Sequence, residues 1–287
     1  AAEEEEKVKA EVAAAAAEEE EKTAKAARIA AGLELPERVH LGVLRDAVMH
    51  GHLPLVRRLL DEKANALGNL AQPSDNGPTP LHWAASHGFQ EIAALLMEGV
   101  NNWQVVTQQE DGKTPMHLAC LHRHAGIAQM MIEKRPARMK PPMLLGMRDE
   151  NQRTALLCAC CVSGNAASAA VVLEHGADVN AEDKHRLRPL HLAAMQGDVD
   201  LTRALLLHNP DLDALDGQGR TALLCATMEG HAEVVQSLVS AGASVDVKDA
   251  NGADAAEWAK DLEHDEILDI VVGNPGAESA QEQTSSS

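Results

Sequence analysis

Tyrosine is absent from the 287-residue chain, phenylalanine occurs once and tryptophan three times. The core must therefore be built from Ala, Leu, Val, Ile and Met. No run approaches 18 apolar residues free of charge, which excludes a membrane-spanning helix. The five cysteines are too few for a disulfide framework in a chain this long and point to a reducing, intracellular compartment. The cytoplasm is the first expectation. A chain beginning at Ala1 is also compatible with a processed targeting segment and an organelle.

Basic charge is scarce as well: 25 Lys and Arg stand against 44 Asp and Glu, a net charge of −19. The deficit is uneven. Residues 1–36 carry 5 basic and 10 acidic side chains, residues 37–145 carry 11 and 10, and residues 146–287 carry 9 and 24. An acidic C-terminal half repels phosphate backbones, so no nucleic-acid partner is expected. A protein with a basic surface, or simple solvation, suits it better.

Residues 1–31 are almost wholly Ala, Glu and Lys, all strong helix formers. Glu3/Lys7, Glu5/Lys9, Glu18/Lys22 and Glu21/Lys25 pair at the favourable i,i+4 spacing before Gly32 and Pro36 end the run. An acidic helix docked on a partner and a solvated linker both fit this composition.

After Pro36 the chain repeats. Leu44, Leu81, Met116, Leu156, Leu190, Leu223 and Ala256 share one leucine-type slot at spacings of 37, 35, 40, 34, 33 and 33. A period near 33 indicates a solenoid of stacked helix pairs. The clearest copy reads Thr79-Pro80-Leu81-His82-Trp83-Ala84-Ala85, then Gly88, then Ile92 and Leu95-Leu96. Thr79 is placed to cap a helix, Pro80 to occupy its first position, and Gly88 to end it in a left-handed turn. The same slots return in Thr114-Pro115-Met116-His117, Thr154-Ala155-Leu156, Pro189-Leu190-His191 and Thr221-Ala222-Leu223. Gly176-Ala177-Asp178-Val179-Asn180-Ala181 closes one copy.

These motifs resemble the ankyrin repeat, with its Gly-x-Thr-Pro-Leu-His-x-Ala-Ala inner helix, Gly-His turn, Val/Leu-rich outer helix and Gly-Ala-Asp-Val-Asn-Ala close. The resemblance implies an all-α solenoid of about seven helix-turn-helix repeats with hairpin-like turns, over residues 37–273. Copies fall near 38–70, 75–106, 110–145, 149–181, 183–214, 216–248 and 249–273. The first and last are degenerate, as capping copies facing water must be. Residues 1–36 form the acidic helix or linker, and residues 274–287 a disordered tail.

Chemistry is mostly excluded. Cys158, Cys160 and Cys161 lack the spacing and second pair of a zinc site, and Cys158 and Cys160 fall in core slots. His82, His117 and His191 take the Thr-Pro-Leu-His position. The resemblance gives that imidazole a structural role, bonded to the Thr hydroxyl and nearby backbone. His52 and His231 follow the turn glycine. No phosphate-binding loop, His-Glu-x-x-His or Gly-x-Ser-x-Gly motif occurs. No catalytic, cofactor-binding or metal-ligating residue is assigned.

Ankyrin-like stacks bind through turn tips and the solvent side of the inner helices, which selects candidates by register. These are Asp75, Asn76, Ser86 and His87 in the second copy, and Glu110, Asp111, Leu121 and His122 in the third. Lys184, His185, Leu187, Met195 and Gln196 follow in the fifth, and Arg220, Met228 and Glu229 in the sixth. Leu121, Leu187, Met195 and Met228 are apolar where solvent is expected, as at an interface. The 40-residue step inserts a basic, Met- and Pro-rich loop, Lys134 to Leu145, offering Arg138, Met139, Met143 and Leu144 to a partner or folding back on the stack. Trp103 sits in an extended finger, either as a hot spot or packed beneath it. The expected function is a non-catalytic adaptor or scaffold that binds protein. The alternative is a structural subunit built into a larger complex and anchored by the N-terminal helix. An enzyme or metal protein centred on Cys158–Cys161 is a third class, which stoichiometric zinc would revive.

Overall fold

A computed structural model describes residues 41–61, 77–99, 109, 111–135 and 140–273. Every regular element among them is helical. Seven inner helices run in chain order: α1 (Leu41–Met49), α3 (Pro80–His87), α5 (Pro115–Leu121), α8 (Ala155–Cys160), α10 (Pro189–Gln196), α12 (Ala222–Met228) and α14 (Ala255–Asp261). Each is followed by an outer partner: α2 (Leu53–Asp61), α4 (Gln90–Gly99), α6 (Ala125–Glu133), α9 (Ala166–Glu174), α11 (Val199–Leu206), α13 (Ala232–Ser240) and α15 (Asp265–Val272). Inner helices pack on the next inner helix and outer on the next outer, giving a two-layer stack of seven pairs.

The sequence dictates these short helices locally. Thr114, Thr154 and Thr221 cap α5, α8 and α12, each hydroxyl accepting the backbone N–H three residues on. Pro80, Pro115 and Pro189 open α3, α5 and α10, where a missing N–H costs nothing. In α14 the cap is reciprocal: Asp254 accepts from Glu257 N–H at 3.0 Å, and the Glu257 carboxylate accepts from Asp254 N–H at 3.0 Å.

The core explains the missing aromatics. Ala84/Ala85, Ala119/Cys120, Ala159/Cys160 and Ala193/Ala194 are completely buried at successive inner-helix contacts, where small side chains let backbones approach. Leucine-type residues fill the space behind them, and Leu44, Leu81, Met116, Leu156, Leu190 and Leu223 are all buried. Ala256, in the same slot of the last pair, is only partly buried.

The inserted step forms an additional short helix, α7 (Pro141–Leu145). Leu144 and Leu145 are buried, Pro142 lies beside Gly176 beyond the end of α9 yet stays exposed, and Met143 stands 65% exposed. The insertion thus folds back onto the stack. The helix expected over residues 1–31, the tail 274–287, and Asp75, Asn76, Trp103, Glu110, Arg138 and Met139 lie outside the described residues.

Candidate functional site

Repeats four to seven each enter the inner helix through a hairpin-like finger organised by one carboxylate, that of Asp149, Asp183, Asp216 or Asp249. Asp149 accepts from the backbone N–H of Asn151 and Arg153 at 2.8 and 2.9 Å; Asp183 does so from His185 and Leu187, and Asp216 from Gln218 and Arg220. In the fourth and sixth fingers an arginine at the fourth position returns to the same acid. Arg153 Nε lies 3.2 Å from Asp149, and Arg220 Nη2 lies 2.8 Å from Asp216. Burial pushes the Asp216 carboxyl up, but its hydrogen bonds from Arg220 and Gln218 outweigh that and hold its pKa below the ordinary value. Its charged form is thereby favoured and already matched by Arg220.

Backbone bonds join the fingers. Glu150 N–H donates to Asp111, Lys184 N–H to Asn151, and Gly217 N–H to His185, each carbonyl lying within 3.0 Å. The fingers of repeats three to six therefore form one hydrogen-bonded ribbon along the open face of the inner helices. That ribbon is a fixed platform for side chains at its tips.

The histidines hold the ribbon on the helices. His117 Nδ1 accepts from Thr114 N–H at 3.1 Å and meets the Thr114 hydroxyl at 2.8 Å, while Nε2 donates to the carbonyls of Met147 and Arg153. His82 bonds Thr79 and the Lys113 carbonyl in the same way. His191 accepts from Arg188 N–H and donates to Ala214 and Arg220, with no Thr hydroxyl available. Burial pushes the pKa of His117 and His191 down, so both imidazoles are held neutral. A second column links neighbouring repeats from the turns: His124 donates to Ser86, His231 to Met195 and His264 to Thr227. The His231 ring lies over Gly197, where a Cβ would fall 2.6 Å from Nδ1. That glycine, at φ +66°, is required both by the turn and by the ring.

The register-selected residues divide sharply. Lys184, His185, Leu187, Met195 and Arg220 come together around an open groove of about 500 Å³, completed by Arg186, Asp216, Gly217 and Gln218. Leu121, Gln196 and Met228 sit along the same inner-helix face, each partly buried, with Glu229 exposed beyond Met228. Gln196 is engaged within the stack, donating to the Cys160 carbonyl and accepting from Ser163. At the other end His87 and His122 are exposed and Ser86 partly so; His87 stacks on Phe89 and lies tilted against Trp83. Asp111 is occupied by its ion pair with Lys113. Leu144 requires correction: it is buried against the stack and presents nothing to a partner, because the insertion spends its apolar residues on its own docking. Arg186 went unselected, although its signal was in the sequence. It stands where the third, sixth and seventh fingers carry Gly112, Gly219 and Gly252 and the fourth carries Gln152, and its backbone, like that of Gln152 at φ +60°, is left-handed at φ +59°.

Covalent and metal chemistry find little footing among the described residues. No group of three or more His, Cys, Asp or Glu side chains is placed to hold a metal ion. All five cysteines are unpaired, and four are buried. Burial drives the Cys120 and Cys225 thiols up to about 12 and raises Cys158 and Cys160 as well, which keeps them protonated and unreactive.

A family model described as ankyrin repeats (3 copies) matches residues 44–141, 102–183, 173–249 and 190–282, together most of the chain. The chain belongs to the ankyrin repeat family. Among solved structures it is similar to the ankyrin repeat domain of Bcl-3, itself described as a unique member of the IkappaB protein family. The two are 27% identical over 80% of this chain and 97% of that one, with a TM-score of 0.68. An ankyrin repeat domain from Acinetobacter baumannii AYE shares the fold at 24% identity and a TM-score of 0.60, over 68% of this chain and 97% of that one. None of the curated proteins compared with it matches. Ankyrin repeats are in general non-catalytic protein–protein interaction modules.

Proposed function

We propose that this ankyrin repeat protein is a non-catalytic adaptor or scaffold, binding another protein along the finger ribbon and inner-helix face of repeats three to six. The observation carrying this reading is that the fingers are locked to one another and to the helices, while Leu121, Met195 and Met228 lie partly exposed along the face they frame. Rigid presentation of apolar side chains beside charged tips lowers the ordering cost of association. Five free cysteines favour a reducing compartment as the place of work.

The test is affinity capture from the native source with the full chain, against Leu121→Glu and Met228→Glu variants. Leu207→Glu serves as the control, since Leu207 is 82% exposed at the end of outer helix α11. The reading expects one partner set to be lost with either inner-face variant and kept with the control. Identical capture by all four proteins would refute it.

A further inference from the structure

We infer that the groove between the fifth and sixth fingers binds an acidic peptide segment of another protein, seating an apolar side chain between carboxylates. This rests on the reading of the inner face as protein-binding and names the chemistry of what binds there. The first argument is charge. Residues 146–287 hold 9 basic and 24 acidic side chains, yet Lys184, Arg186 and Arg220 line the groove against one acid, Asp216. That acid is almost completely shielded and spends both oxygens on Arg220 and the finger backbone. Lys184 and Arg186 are exposed; Lys184 reaches the neutral Asn151 side chain, and among the described residues neither charge is matched by an acid. A positive island in an acidic half-chain attracts carboxylates and steers their approach.

The second argument is the floor. Leu187 stands where the fourth and sixth fingers carry Arg153 and Arg220, and with Met195 it puts apolar surface between the cations. A site built only for polyanions gains nothing from losing that arginine. The groove volume of about 500 Å³ falls within the roughly 300–1,000 Å³ of ordinary binding pockets.

The third argument is what repeat five gives up. Repeat five alone departs at three consecutive positions: Arg186 stands at the turn glycine of the third, sixth and seventh fingers (Gln152 in the fourth), Leu187 replaces the arginine that pairs with the finger acid in the fourth and sixth, and Arg188 the capping threonine. Arg186 occupies the left-handed region at φ +59°, which costs a non-glycine residue roughly 1 kcal/mol. Arg188 is reconciled by ion pairs to Glu182 and Asp211 at 2.8 Å each. Arg186 and Leu187 have no such compensation within the fold, and both face the groove. Local rules are broken in this way at binding sites.

The experiment measures fluorescence anisotropy of a labelled Glu-Glu-Leu-Leu-Glu-Glu peptide titrated with the full chain. Comparison probes are Glu-Glu-Ala-Ala-Glu-Glu, Lys-Lys-Leu-Leu-Lys-Lys and a dT12 oligonucleotide. The expected result is saturable binding of the first peptide that weakens with salt, with each comparison probe clearly weaker. Lys184→Glu combined with Arg186→Glu, both at exposed positions, is expected to weaken it about tenfold. Arg186→Gly, which relieves the backbone, is expected to weaken it less while leaving the protein at least as stable. No binding, equal binding of the alanine peptide, or indifference to the double reversal overturns the proposal. Equal binding of dT12 overturns it too and assigns the island to nucleic acid. Because Leu121 and Met228 lie outside the groove, partner capture that still depends on them would leave the broader reading standing after such a failure.

Discussion

Replacing His117 by alanine tests the claim that buried imidazoles, rather than hydrophobic contact alone, hold one repeat to the next. The His117 ring is 1% exposed and bonds four groups: Thr114 N–H, the Thr114 hydroxyl, and the Met147 and Arg153 carbonyls of the following repeat. Truncation leaves Thr114 N–H and the Met147 carbonyl without their partner in a dry site, while the Arg153 carbonyl keeps only Asp149 N–H, and it opens a cavity. At about 1 kcal/mol or more for each of the two unsatisfied groups, and a similar amount for the cavity, the loss is about 3 kcal/mol, large for any single substitution. His191 offers an internal comparison. Arg188 replaces the threonine there, so one bond is missing, and His191→Ala is expected to cost about 1 kcal/mol less. Urea unfolding followed by circular dichroism measures both. A double-mutant cycle of Thr114→Val with His117→Ala isolates the hydroxyl, with an expected coupling of about 1 kcal/mol. A His191→Ala loss as large as that of His117→Ala, together with zero coupling to Thr114, would refute the reasoning.

The remaining expectations follow from the same geometry. Folded-state pKa values of His117 and His191 lie below the unfolded value of about 6.5, so the unfolded chain binds more protons. Their contribution is complete above that pH and is lost as pH falls below it, which unfolding midpoints at pH 7.5 and 5.5 will show, with a smaller drop in His117→Ala. Arg186→Gly is expected to raise stability by about 1 kcal/mol through relief of its left-handed backbone, read as a higher urea midpoint. Gly197→Ala, by contrast, forces a Cβ into the His231 ring and is expected to cost about 2 kcal/mol, part of which His231→Ala restores. A disulfide exchange reagent is expected to label Cys161 promptly in the folded protein, while Cys120, Cys158, Cys160 and Cys225 react only on unfolding.

Period and capping chemistry made the stack legible because both are local. A threonine three residues before a histidine, a proline between them and a glycine after the helix specify conformations that each segment adopts by itself. The buried roles of Cys158 and Cys160 were legible for the same reason, since register alone placed them beside alanines. The fate of the inserted step was not. Whether Leu144 faces a partner or the stack depends on the surface that residues 141–145 meet beyond α9, and no periodicity crosses that gap. Four cations and three prolines are compatible with display and with folding back alike, and the burial of two adjacent leucines decides between them.

The groove shows a different limit of the sequence. Register selected Lys184, His185, Leu187, Met195 and Arg220 one slot at a time, without showing that they share one surface. Solvent-facing register does not single out Arg186; its departure from the repeat pattern does. Glycine at the finger turn, arginine four residues after the finger acid and threonine at the cap each stabilise a repeat with no reference to a partner. Where copies five and six can be compared position by position, a substitution that lowers stability within the stack must find its reason outside it or be offset inside. Arg188 is offset by Glu182 and Asp211, and thereby excuses itself. Arg186 and Leu187 are not offset, and they meet at the groove. In a repeat protein the neighbouring copies serve as the reference state, so a cluster of unrepaired departures locates a binding surface more sharply than exposure does.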